Sequence, residues 1–391
     1  MDLAEGTELE FRMKMKDPHH LLRLVGTSLS LLTILVSLNA CGSSGSGTVQ
    51  KPSPEFTYVI NRNGSVAAFA VNQAAGTLRS LKGSPFSTGG MDSIGAIIDP
   101  LKRFLFVANQ GSGDVSVFQI LSSGALGLIP GSPFGSGPGA RSTAVTPDLK
   151  FLYVANTLAN SIAAFSVNID SGALTPLAGS PFAIGPGSGP FSLALNPMGT
   201  RLYVTASTIN QILAFNIAPD GSLTALAGSP FSTGHNPSEI RINPLGVFLY
   251  NTNFDDDDIA GFSIDPVTGA LTPLSGSPFA AGAGPFGAAL DPAGLFLYLT
   301  NRGDNTISAY SINSSTGILS AVTGSPFGTG SSPADVVEDG AGKLLWVANE
   351  AGDSVSGYRI DRSTGGLSVL EKSPFSLEAG SHPFGIVTAS F

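Results

Sequence analysis

Residues 285–327 read PFGAALDPAGLFLYLTNRGDNTISAYSINSSTGILSAVTGSPF. The stretch divides at its turn residues into four strand-forming pieces. PFGAAL is short and apolar, Asp291-Pro292 turns the chain, and FLYLTN runs into the polar loop NRGDNT. ISAYSI alternates as a third strand, SSTG turns, and ILSAVTGSPF closes the unit. Its last four residues recur with the phenylalanine at Phe86, Phe134, Phe182, Phe231, Phe279, Phe327 and, as Lys-Ser-Pro-Phe, at Phe375. The intervals are 48, 48, 49, 48, 48 and 48 residues. The aromatic of the third strand keeps the same phase, at Phe69, Phe118, Phe165, Phe215, Phe262, Tyr310 and Tyr358. A period of this length, built from strands and turns, predicts an all-β propeller of four-stranded blades.

The ends of the array tell how the ring closes. Residues 55–86 hold only strands two to four, and the chain ends on a lone first strand, PFGIVTASF, from Pro383 to Phe391. The fragments complete one another, so six whole blades and one shared blade make seven. Pairing the C-terminal strand with N-terminal strands removes the open edges an array of sheets would otherwise expose. The repeated turn residues have architectural explanations. Gly124, Gly172, Gly269, Gly317 and Gly365 supply positive φ in hairpins, and Asp99, Asn196, Asn243 and Asp291, each before a proline, start turns by bonding their own backbone. Proline in every fourth strand suits an outer edge, where no donor is needed.

Charged residues make up 12% of the chain, about half the share of an average domain. The 49 glycines and 27 prolines would suggest disorder without a period, and the period overrides that reading. A net charge of −9 with no basic stripe excludes nucleic acid as an expected partner.

Residues 1–54 are of another kind. Arg12, Lys14, Lys16 and Arg23 precede an uncharged, mostly apolar run from Leu24 to Ala40, followed by the only cysteine, Cys41, and then GSSGSGTVQKPSPE. The pattern predicts a secretory signal over 1–40, a Gly/Ser-rich tether over 41–54 and the propeller over 55–391. Leu38-Asn39-Ala40-Cys41 resembles a bacterial lipobox, which implies lipid attachment at Cys41 and a protein anchored in the cell envelope, at the periplasm or outer surface. A lone cysteine makes no internal disulfide, and a monomer without cofactor or metal is expected.

FLYVANTLANSIAAFSVNIDSGALTPLAGSPF and LLWVANEAGDSVSGYRIDRSTGGL resemble the seven-bladed lactonase family, which includes 6-phosphogluconolactonase, and its YVTN-repeat relatives. The resemblance covers residues 55–391 and implies a site at the channel mouth, on the loops that enter strand one and leave strand two. The first set brings Arg141, His235, Glu239, Asp335 and His382, and the second Asn109, Asn156, Asn301, Arg302, Asn349 and Glu350. Arg141 falls at the family's strand-one arginine, with Ser142 where the family carries histidine. Asn349-Glu350 repeats the family's Asn-Glu pair on another blade, and His382-Pro383 its His-Pro pair.

Lactone hydrolysis needs a base for water and donors for the developing oxyanion. His235, His382, Glu239 and Glu350 are candidates for the first role and Arg141 and Arg302 for the second. The asparagines and Asp335 are candidate ligand contacts. Asp255 to Asp258 form one dense acidic loop without the spacing of a calcium loop. Two functions stand at this point: a cell-envelope scaffold that binds a small molecule, glycan or protein at its mouth, and a lactonase acting on a sugar or other lactone.

Overall fold

The computed structural model describes residues 54–391. The expected signal sequence over 1–40, Cys41 and nearly all of the expected tether lie outside the described residues. Thirty-five strands form seven antiparallel sheets, numbered here as blades 1 to 7, with strands a to e from the axis outward. Blade 6 is typical: a is Pro285–Leu290, b Phe296–Asn301, c Thr306–Ile312, d Leu319–Ala321 and e Phe327–Gly328. Strand a of blade 1 is Pro383–Ser390, paired antiparallel with Glu55–Asn61, so the ring closes on the C-terminal strand as the sequence predicts.

The outermost strand differs from the expectation of four strands. It is broken into d and e, both paired with c. The break falls on Gly-Ser-Pro: in blade 6 Gly324 has φ +91° and Ser325-Pro326 is cis. There the serine hydroxyl takes over the ladder, Oγ of Ser325 accepting from the Ala309 amide at 2.9 Å. The same bond recurs from Ser84, Ser132, Ser180, Ser229, Ser277 and Ser373. Serine is therefore fixed in the repeat because a proline that interrupts the strand leaves one amide of c in need of an acceptor.

Seven apolar clusters, one between each pair of neighbouring blades, form the core. Hydrogen bonds also cross these interfaces. Tyr298 of blade 6 donates to the Gly365 carbonyl of blade 7 at 3.0 Å, and Tyr58, Tyr153, Tyr203 and Tyr250 do the same toward their next blades. Gly365, at φ +76°, admits no side chain, because a Cβ would stand 2.4 Å from Phe296.

Candidate functional site

Strand a lines the channel, and at one end two loops of every blade meet there. The residue after strand b donates its amide to the carbonyl of the residue before strand a, as from Arg62 to His382, Arg302 to Gly284 and Glu350 to Ser332. His382, Asp92, Asn236 and Ser332 hold this acceptor place at φ between +49° and +54°. A backbone device repeated seven times thus sets the rim, and the variable side chains on it carry the chemistry.

Three arginines and three phenylalanines converge at this mouth. Arg62 grips Asp92 with two bonds, Nε to Oδ1 at 2.6 Å and Nη2 to Oδ2 at 3.0 Å, and reaches Glu350 Oε1 with Nη1 at 2.9 Å. The other oxygen of Glu350 takes Arg302. Phe286 meets Phe191 and Phe384 edge-to-face, with ring centres 5.6 Å apart in each pair. Arg141 lies 3.5 Å from the Phe191 ring centre and 5.5 Å from that of Phe384. Among the described residues Arg141 makes no hydrogen bond or ion pair. Burial, and then the neighbouring Arg62 and Arg302 charges against Glu239, lower its pKa to about 9, so it remains a cation at neutral pH.

Beneath this layer a channel cavity of about 620 Å³ is lined by Arg141, Glu239, Arg241 and Asp335 together with apolar side chains of strand a. Glu239 Oε1 accepts from Ser192 Oγ at 2.9 Å and pairs with Arg241. Asp335 accepts from the Val336 and Ile386 amides at 2.9 and 3.1 Å. Burial, reinforced by the charge of Glu239, raises its pKa to about 7. At the far end of the same cavity stands Glu338, 7% exposed, with neither carboxylate oxygen hydrogen-bonded. Burial and the Asp291 and Asp339 charges push it up to about 8.

The structure thus brings Arg141, Glu239 and Asp335 into one cavity and Arg302 and Glu350 to its mouth. It does not bring the histidines there. His235 is exposed and bonded through Nδ1 to Asp256 Oδ1 at 2.8 Å, and His382, at φ +49°, points toward Asp353. Asn109, Asn156, Asn301 and Asn349 are fully buried, and this corrects their expected role as ligand contacts. Their amides tie the start of strand c to the end of b, as Asn301 does with Thr306 at 2.9 Å and Ser308 at 2.8 Å.

In the acidic loop each carboxylate has its own loop partner: Asp255 accepts from Asn236, Asp256 from His235, Asp257 from the Gly284 amide and Asp258 from Asn253. Arg62, Asp92 and Arg241 escaped the sequence reading. So did the three phenylalanines, although Pro190-Phe191, Pro285-Phe286 and Pro383-Phe384 repeat at the head of strand a.

A closed seven-bladed ring around a charged axial cavity defines the chain as a β-propeller with an open central channel. The family model described as a seven-bladed β-propeller lactonase matches residues 31–275 and 278–381, and the chain belongs to that family. Among solved structures it is similar to the periplasmic gluconolactonase PpgL of Pseudomonas aeruginosa, at 18% identity over 87% of this chain and 99% of that one, with a TM-score of 0.76. A candidate 6-phosphogluconolactonase of Bacteroides uniformis aligns at 20% identity over 87% and 100% of the two chains, with a TM-score of 0.75. A Lactobacillus plantarum protein aligns at 20% over 86% and 100%, with a TM-score of 0.73. At such identities the likeness shows the fold alone. No curated protein matches the sequence.

Proposed function

We propose that this propeller is an envelope-anchored lactone hydrolase whose reaction takes place in the axial cavity. The observation that carries the reading is Arg141, a cation with unpartnered donors that lines the same cavity as Asp335. In that role Arg141 holds the carbonyl oxygen of a lactone and stabilises the oxyanion as water adds. Asp335, with its pKa near neutrality, takes the proton from that water and returns it to the ring oxygen as the ester bond breaks. Glu239, fixed by Ser192 and Arg241, keeps negative charge beside Asp335 and so maintains its basicity. Family membership and the gluconolactonase name of the Pseudomonas neighbour support the reaction class. Export and anchoring rest on the leader and Cys41.

Hydrolysis of a lactone panel followed in a pH-stat tests the reading. Arg141→Ala is expected to lower kcat/KM by about 10²-fold or more, the typical worth of an oxyanion donor. The rate is expected to rise with pH through about 7, because the base must be ionised. A wild-type rate equal to that of Arg141→Ala on every lactone would refute hydrolysis.

One observation favours a second reading, binding without turnover: both oxygens of Asp335 already accept backbone amides, and neither histidine lines the cavity. Under that reading calorimetry finds an aldonate or lactone ligand whose affinity falls in Arg141→Ala while no acid is released.

A further inference from the structure

The end of the propeller opposite the arginine mouth is formed by the turns between strands a and b and between c and d. The described chain enters at this end, at Pro54 and Glu55, where the Phe391 amide donates to the Pro54 carbonyl at 3.0 Å. Eight of the thirteen large apolar side chains that stand exposed among the described residues lie on this end, so their distribution is not even over the surface. Met198, Leu245 and Val267 are 79%, 75% and 82% exposed and sit on turns of the adjoining blades 4 and 5, with Leu295 of blade 6 beside them. Arg201 holds the Val267 turn in place by bonding the Pro266 and Val267 carbonyls. Leu101 and Phe391 extend the apolar set to blades 2 and 1, beside the point of entry.

We propose that this end rests on the phospholipid surface to which the tether leads, with Met198, Leu245, Val267 and Leu101 seated in the interfacial layer. The inference rests on the anchored reading of Cys41 and is independent of the reaction in the channel. Cys41 stands thirteen positions before Pro54, where the described chain enters this end of the propeller. Isolated exposed apolar residues are ordinary, but here they share the face that the tether enters. The same turns mix charges of both signs, Asp148 beside Lys150 and Asp265 near Arg201, so apolar contact and not attraction to anionic lipid holds the face down. The arginine mouth then faces away from the bilayer, open to soluble ligand.

The test uses the full chain reconstituted in phosphatidylcholine vesicles. The only tryptophan, Trp346, is fully buried, so a second one reports its own surroundings. Leu245→Trp and Met198→Trp probe the proposed contact, and Leu158→Trp, exposed at the arginine mouth, serves as the control. With brominated acyl chains the emission added at 245 and 198 is expected to fall by half or more, with no change at 158 and no dependence on anionic lipid or salt. Equal quenching at all three positions, or none at 245 and 198 in vesicle-bound protein, overturns the orientation. A dimer in sedimentation that shields 245 and 198 without quenching overturns it in favour of a second copy. Failure of the chain to float with the vesicles overturns the anchor and the orientation together, and leaves the pH-stat result untouched.

Discussion

Glu338 occupies a place in strand a where other blades carry Ile98, Val145, Leu195, Ile242 and Leu290. Its buried, unpartnered carboxyl is held in the neutral form, with its pKa raised to about 8. For an acid whose folded pKa exceeds its unfolded value, the contribution to stability is full below the unfolded value. It is lost as pH rises through the folded one. The protein is therefore expected to lose stability between about pH 4 and pH 8 through this residue. Glu338→Leu, which copies blade 6, should raise the melting temperature more at pH 8.5 than at pH 5, by the equivalent of a few kcal/mol at the higher pH. Equal shifts at both pH values would contradict this.

The same contrast decides which site residues were legible in the sequence. Arg141, Glu239 and Asp335 break the repeat on strand a, and the structure gathers them in one cavity. Asn109, Asn156, Asn301 and Asn349 recur in phase, and recurrence in every blade but the fourth, which carries Ala206, signals a part of the blade. The histidines drew notice because they are rare, yet the structure sets them outside the cavity lining, His235 bonded through Nδ1 to Asp256 and His382 donating its backbone amide to Asp353. Side-chain direction at the rim depends on the positive-φ residue before strand a, which single-sequence patterns do not reveal.

At the scale of the element, the blade was legible from its period, but the splitting of its outer strand was not. A ten-residue run of apolar and turn residues gives no sign that a serine hydroxyl replaces a backbone acceptor in the middle of it. The substitution Ser325→Ala tests that role. It leaves the Ala309 amide without its acceptor and should cost about 1–3 kcal/mol, read as a drop in the denaturation midpoint at unchanged slope. The bonds between blades make a parallel case. Tyr298→Phe removes the hydroxyl that reaches Gly365 and should cost about 1 kcal/mol, leaving that carbonyl buried without its donor. Blade 2 already carries Phe106 at the matching place, so the fold tolerates the loss of one such bond.

At the scale of the whole molecule, stability depends on closing a ring whose last interface differs from most of the others. Between blades 7 and 1 the place of the tyrosine is taken by Trp346, whose Nε1 has no partner among the described residues. That interface is held instead by packing of Trp346 with Val59, Phe69, Leu370 and Ile386, the last of these on the C-terminal strand. Strand pairing adds the ladder from Phe56–Ala389 to Asn61–Pro383, and Glu55 accepts from Ser390 and from the Gly340 amide. Removing residues 383–391 therefore strips the inner strand from blade 1, opens the edge of Glu55–Asn61 to solvent and exposes one side of the sole tryptophan. A ring with one blade unsealed cannot keep its remaining interfaces in register, because each blade is positioned by both neighbours. The truncated chain is expected to show tryptophan emission shifted to the red, with no cooperative thermal transition and a tendency to aggregate through its open edge. Emission and a sharp transition both unchanged from the full chain would mean that six sealed blades fold without the seventh, and that closure is not what makes the fold cooperative.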